Sequence, residues 1–352
     1  MTEARRLSPS RFRLLLLIGC VGVLVSAGSA LSCIPPDPAE QVTTPTRSSS
    51  ALALLQRAAT VTRTTSWQGT QSVLSTHGGM PRYQLLKVAH SPGTGTVVEG
   101  LADTGRGVAP DLLDDDLFAL LTRHYDLTVV GATLSAGRRT VLVEARRPGQ
   151  TGADAVAGRF WIDRTTRMVW RRDVLDDSGA VVVSSAFSEL RFTRRSAVRT
   201  PPVQTGPGGT RLDDHEVQDL ISGGWPIVDH LPSGLELFET RLHDDGVVQL
   251  SYSDGLSTLS LFVQQGALPA STGGTVREVG GAFVHMTSTA PEQLVWSGGG
   301  RTWALVSDAP DSTIEQAVLV LPHADPPAPD EGVGDKVWRG MSRVGGWLNP
   351  FD

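Results

Sequence analysis

The one spacing in this chain that approaches a hydrolytic metal pattern is His215-Glu-Val-Gln-Asp219. A helical His-Glu-x-x-His stretch puts two imidazoles on one face to hold zinc, with the glutamate as base. Here Asp219 stands where the second imidazole would be, and the stretch lies among Pro, Gly and charged residues, so no metal site follows. Asp114-Asp-Asp116 is equally uninformative: consecutive residues fan around a helix, and acids near a helix start favour its dipole. No serine elbow, phosphate-loop or dinucleotide-fingerprint spacing occurs. We therefore assign no catalytic residue, no metal ligand and no cofactor, and expect a protein that binds rather than one that catalyses. Cys20 and Cys33, the only cysteines, both lie in the first tenth of the chain. The globular part is left with neither a disulfide framework nor a cysteine metal site. The chemistry open to Cys33 is lipidation, since it follows Ala30-Leu-Ser.

At 352 residues the chain has room for about two domains. Hydrophobics at 40%, charged residues at 19% and a net charge of −6 describe a globular protein without the positive field that nucleic acid requires. Arg5, Arg6, Arg11 and Arg13 precede an apolar run from Leu14 to Leu31, the layout of an export signal, so the mature protein is expected outside the cytoplasm. Three endings are open: cleavage after Gly28-Ser-Ala30, lipidation at Cys33, or retention as a membrane anchor. Pro35 to Ser50, rich in Pro, Thr and Ser, reads as a tether.

Leu52, Leu55 and Ala59 recur at helical spacing within Ala51 to Thr60, and Trp67 to Val73 opens a strand pattern. Gly78 to Pro110 is punctuated by Gly and Pro and is expected to be irregular. Leu112 to Leu121 reads as a helix with Leu113, Leu117 and Leu120 on one side. Strands follow at 127–130, 140–145, 158–162, 168–175 and 180–192, with short turns that imply an antiparallel meander. Residues 194 to 224 shift to Pro, Gly, Thr and charge and read as a linker, with a turn or two of helix at 213–220. Strands then recur at 234–242, 247–263, 283–288, 294–297 and 301–307, and Ser312-Thr-Ile-Glu315 reads as a capping box opening a final helix. Beyond a second loose segment, Val337, Trp338, Met341, Val344 and Leu348 form an apolar stripe, expected to dock on a protein surface.

Within this series Tyr252 to Val263 is the best-specified piece. Asp254-Gly255 between two apolar runs predicts a two-residue type I′ turn, pairing Tyr252 with Ser257, Leu250 with Leu259 and Val248 with Leu261. Such a hairpin has one apolar face and one that tolerates water.

Leu250-Ser-Tyr-Ser-Asp-Gly-Leu-Ser-Thr-Leu-Ser-Leu-Phe-Val263 closely resembles the hairpin in the C-terminal domain of the RseB/MucB family, and Trp225-Pro-Ile-Val-Asp-His-Leu-Pro-Ser-Gly-Leu235 resembles the start of that domain. His124 to Gly131, Trp161 to Met168 and Asp173 to Gly179 read like strands of its N-terminal domain. The resemblance implies an α+β fold: a curled antiparallel sheet covering helices, similar to LolA and LppX, then a linker and a smaller α+β domain. The expected division is 1–33 signal or anchor, 34–50 tether, 51–193 N-terminal domain, 194–224 linker, 225–321 C-terminal domain and 322–352 tail. It also implies an extracytoplasmic regulator of envelope-stress sigma-factor signalling, which binds an anti-sigma factor's outer domain and shields it from proteolysis. An acyl-lipid ligand would occupy the N-terminal cleft. A lipid or lipoprotein carrier is the alternative. Trp67, Trp161 and Trp170 are candidate cleft residues, with sheet-face packing the competing role for each. Tyr252, Asp254, Trp338 and Met341 are candidate partner contacts.

Overall fold

The computed structural model describes residues 48–79, 81–92, 95–100, 106–109, 115–193, 209–268, 272, 274–286 and 293–323. The export segment, Cys33, Trp338 and Met341 lie outside them, as does Leu113. Among the described residues no helix is long and apolar enough to cross a membrane.

The chain enters as helix α1 (Ser48–Thr64), whose Ala51, Leu55, Ala58 and Ala59 are fully buried. Alanine at three of these four positions lets the helix backbone lie close against a sheet. Its end is rich in threonine, and the hydroxyls of Thr60, Thr62 and Thr64 donate to carbonyls four residues back, a pattern that weakens a helix where the chain must turn into a strand. The first sheet is built from β1 (Trp67–Ser75), β2 (Arg82–Ser91), β3 (Gly95–Gly100), β4 (Arg106–Ala109), β5 (Asp126–Ser135), β6 (Arg138–Arg146), β7 (Val156–Asp163), β8 (Val169–Leu175) and β9 (Val181–Phe192), with α2 (Asp115–His124) between β4 and β5. All nine strands are antiparallel neighbours in the order β4-β3-β2-β1-β9-β8-β7-β6-β5. The sheet is open, and α1 packs on the face that carries Leu127, Val143, Ala145, Phe160 and Ile162.

The second sheet comprises β10 (Thr210–Arg211), β11 (His230–Leu231), β12 (Leu235–Leu242), β13 (Val248–Ser253), β14 (Thr258–Gln265), β15 (Thr275–Val279), β16 (Ala282–Met286), β17 (Leu294–Gly298) and β18 (Arg301–Ser307). Its order is β10-β12-β13-β14-β18-β17-β16-β15, with β11 also paired to β12. Helices α3 (Asp214–Ser222) and α4 (Asp311–Val320) cover the face bearing Leu250, Tyr252, Leu259 and Leu261. At its centre Trp296 and Trp303 stack with ring centroids 6.0 Å apart. The α+β class and the antiparallel sheet packed on helices are as the resemblance implied.

Three differences are physical. Residues 82–91 and 95–100, expected to be irregular, form β2 and β3, and 106–109 form β4; β2 alternates half-buried and exposed residues over its first six positions, a strand signal that the flanking Gly and Pro obscured. The capping box at Ser312 does not form: α4 begins at Asp311 with Pro310 as N-cap and no side-chain cap. A capping box forms instead at α3, between Asp213 and Glu216, inside the segment read as linker, where β10 also joins the second sheet.

Candidate functional site

The hairpin β13–β14 organises the site, but through a different turn from the one its sequence suggests. Ser253 pairs with Thr258, Tyr252 with Leu259, Leu250 with Leu261 and Val248 with Val263, so the loop is the four residues Asp254 to Ser257. The register is displaced by two residues from the type I′ expectation. Because side chains alternate with period two, the apolar set still meets on one face. The opposite face is not open to water either: Gln249 and Ser251 are buried, and Phe262 packs with Val247, Leu268, Val295 and Ala304.

The wider loop has a local cause. Asp254 Oδ1 accepts the N–H groups of Leu256 (2.8 Å) and Ser257 (2.6 Å), closing an Asx turn, while Ser253 Oγ accepts from Gly255 N–H at 2.9 Å. Its tertiary cause is larger. The loop inserts between α1, α2 and the first sheet, and Leu256, 3% exposed, belongs to the apolar cluster of Leu55, Phe118, Leu121 and Phe160. Gly158 on β7 makes room for it: a Cβ there would lie 2.5 Å from Leu256 Cδ1. Gly255, at φ +85°, passes so close to α2 that a Cβ would lie 2.0 Å from the Leu121 backbone nitrogen. Both glycines are required by close approach, and Gly255 by its left-handed backbone as well.

Polar contacts seat the loop. Tyr125 Oη donates to Asp254 Oδ2 at 2.6 Å, and Arg172 donates to the Leu256 carbonyl and, at 3.1 Å, to Asp308. Asp308 Oδ1 in turn accepts from Thr258 N–H at 2.6 Å. Burial pushes the Asp254 carboxyl and the Tyr125 phenol above their ordinary values. Two further clasps lie elsewhere on the interface. Asp311 accepts from Gly78 N–H at 2.8 Å and pairs with His77 Nδ1 at 2.9 Å; Glu236 pairs with His124 Nε2 at 2.8 Å and with Arg123. Both carboxyls are held below the usual carboxylate range, Asp311 chiefly by its hydrogen bond with His77 and Glu236 chiefly by that with Arg123.

Above the loop lies a cavity of about 150 Å³ between α1, the first sheet, α2 and the hairpin. Its apolar wall is aromatic. Trp67 stacks on His90 (centroids 5.8 Å apart) and meets Phe187 edge-on at 5.6 Å, and Phe187 continues to Trp170 at 6.0 Å. Leu256, Gly255, Ser253 and Thr258 close the wall from the second domain. Trp67 Nε1 donates to the Thr62 carbonyl at 3.1 Å, which fixes the ring at the helix-to-strand junction. Arg138 covers Trp170 at 4.1 Å.

The structure thus brings Trp67 and Trp170 to the cleft. Trp161 does not line it: its neighbours Phe160 and Ile162 face α1, so the pleat carries Trp161 the other way, where the Arg171 guanidinium lies 4.7 Å from its ring. Tyr252 and Asp254 are buried within the chain. Tyr252 sits in the second core with Oη donating to the Val228 carbonyl at 2.9 Å, and Asp254 engages Tyr125, so neither is presented to a partner in this arrangement. Sequence reasoning missed Leu256, Gly158, Tyr125 and Arg172. Only a Gly in mid-strand at 158 hinted at close approach.

No family model and no curated protein matches this chain. It is similar to the crystal structure of MucB. The identity there is 21%, over 77% of this chain and 97% of that one, with a TM-score of 0.41. The MucA/MucB complex of Pseudomonas aeruginosa follows at 21% identity, 78% and 100% coverage and a TM-score of 0.39. A LolA superfamily protein from Nitrosomonas europaea aligns at 9% identity over 43% of this chain and 95% of that one, with a TM-score of 0.20.

Proposed function

We propose that this chain is an extracytoplasmic regulator of envelope-stress signalling that holds the outer domain of an anti-sigma factor, shields it from proteolysis and responds to an acyl lipid. The hairpin and domain-entry stretches that resemble the RseB/MucB family support the partner class. One structural observation carries the response: the resembling hairpin is itself the wall of the cleft. About 150 Å³ suits a molecule of benzene size. It falls short of the roughly 300 Å³ at which ordinary ligand pockets begin. An acyl chain would therefore have to displace the Gly255-Leu256 tip, and with it the contacts of Tyr125, Arg172 and Asp308 that seat the second domain. If the partner binds the seated arrangement better than the displaced one, lipid and partner weaken each other by the same factor.

The test is capture from envelope extracts with the full chain as bait, followed by titration with lysophosphatidylcholine as the acyl probe. Recovery of a single-span protein with an anti-sigma cytoplasmic domain, released as lipid is added, supports the reading; adequate bait with no such protein refutes it. The carrier reading draws on the aromatic wall of Trp67, Phe187 and Trp170. It is favoured if gently purified protein carries acyl lipid by mass spectrometry and captures no protein.

A further inference from the structure

A second cavity, of about 210 Å³, lies between α1 and the first sheet, and its lining shares no residue with the cleft. Its floor is apolar, made by Leu54 of α1, Val141 of β6 and Ile162 of β7. Three exposed arginines complete the lining, Arg57 from α1 and Arg164 and Arg167 from the β7–β8 turn. On the same sheet Arg138, Arg146, Arg147, Arg159, Arg171 and Arg172 each pair with a carboxylate. Arg57, Arg164 and Arg167 make no side-chain ion pair or hydrogen bond among the described residues.

The carboxylate in the lining, Asp163, is paired with none of the three: its oxygens are engaged by the turn and by Arg138. Oδ1 accepts from Thr165 N–H (2.9 Å), Thr166 N–H (2.6 Å) and Thr166 Oγ1 (3.0 Å), and Oδ2 faces Arg138 at 3.4 Å. Burial opposes its ionisation, but the hydrogen bonds from Thr166 and Thr165 prevail and hold it below the usual carboxylate range. The turn also places Arg167 at φ +65°, a left-handed backbone that glycine or asparagine would adopt with less strain.

We propose that this cavity binds a tetrahedral oxyanion of the phosphate type, free or as the headgroup of an anionic lipid. Guanidinium forks match oxyanions in pairs of parallel N–H···O bonds. Three forks around one cavity offer more donors than the two oxygens of a carboxylate can accept, whereas a phosphate monoester presents three free oxygens. The apolar floor suits an ester substituent.

Calorimetric titration of the full chain at low ionic strength, with inorganic phosphate and then acetate as probes, tests this directly. Phosphate should bind, and acetate at least tenfold more weakly. Arg167→Gly should weaken phosphate at least tenfold while thermal unfolding stays level or rises, since glycine relieves the backbone; Arg57→Gln should weaken it without altering the turn. Absence of phosphate binding to the wild type, undiminished binding by both variants, or equal binding of acetate would each overturn the proposal. Sedimentation with phosphatidylcholine vesicles containing phosphatidic acid, compared between wild type and Arg167→Gly so that anchoring by other parts of the chain cancels, separates the sources. A wild-type excess assigns the phosphate to lipid, and no excess alongside calorimetric binding assigns it to free phosphate.

Discussion

Leu256 and Gly158 make a pair that can be tested as a unit, because one supplies the side chain and the other the space across the domain interface. Leu256→Ala removes a buried leucine from an apolar cluster. Such truncations cost about 2–5 kcal/mol, rising with the void left behind. Leu256 already borders a cavity of about 150 Å³, so little can collapse into its place and the upper half of that range is expected. Gly158→Ala puts a methyl 2.5 Å from Leu256 Cδ1 and 2.9 Å from Cδ2, forcing the leucine out of its seat at about 1–3 kcal/mol. In the double variant the clash is gone, and the strand gains roughly 0.5–1 kcal/mol from losing a mid-strand glycine. Gly158→Ala should therefore change sign, from destabilising in the wild type to neutral or stabilising in the Leu256→Ala background. Urea unfolding of the four proteins, with limited proteolysis to report domain separation, gives the coupling free energy. We expect about 1–3 kcal/mol, and additivity within about 0.5 kcal/mol, the behaviour of independent sites, would refute the plug.

Other perturbations follow from the same interface. Gly255→Ala combines positive φ with overlap of the α2 backbone and should cost about 1–3 kcal/mol, seen as faster proteolysis between the domains while the hairpin register survives; unchanged proteolysis would contradict the contact with Leu121. Tyr125→Phe leaves a buried carboxylate oxygen of Asp254 without its donor and should cost about 1–3 kcal/mol, whereas Asp254→Asn should be near neutral. Because burial raises the Asp254 pKa, the stabilisation it contributes is present at acid pH and lost as pH rises through the raised value; Asp254→Asn should flatten that limb of a stability profile. Asp311 and Glu236 have depressed pKa values, so their contribution is present above the free carboxylate value of about 4 and lost as pH falls below it. Asp311→Asn should flatten the acid limb, and an unchanged limb would show that His77–Asp311 does not clasp the domains. The second domain is closed off by Trp296 Nε1 donating to the Pro322 carbonyl at 3.0 Å, so deletion of 335–352 should leave thermal unfolding intact. A collapse of folding would place that segment in a core.

The elements whose signals are local were legible in the sequence. The stripe of Leu52, Leu55 and Ala59 falls in α1, where Leu55 and Ala59 are fully buried and Leu52 partly so, and the alternation from residue 127 to 192 produces the meander. Tyr252 to Val263 forms the expected hairpin with the expected apolar face, since a two-residue slip preserves parity, but the other face is buried as well. Features decided by distant atoms were not legible. Whether Asp254-Gly255 closes a two- or four-residue loop depends on Tyr125, Leu121 and Gly158, more than 90 residues away in sequence. The separation of Trp161 from Trp67 and Trp170 depends on strand parity relative to α1, which composition does not encode. For the same reason the second cavity was invisible, because Arg57 lies over 100 residues before Arg164 and Arg167.

In the proposed function the hairpin joins cleft occupancy to partner binding. Its most direct measurement is capture of envelope proteins by the full chain with and without lysophosphatidylcholine, run beside Leu256→Ala. A single-span anti-sigma factor should be held by the wild type and released by lipid, and Leu256→Ala should shift release to lower lipid concentration. Retention of the partner at lipid concentrations that fill the cleft would contradict it.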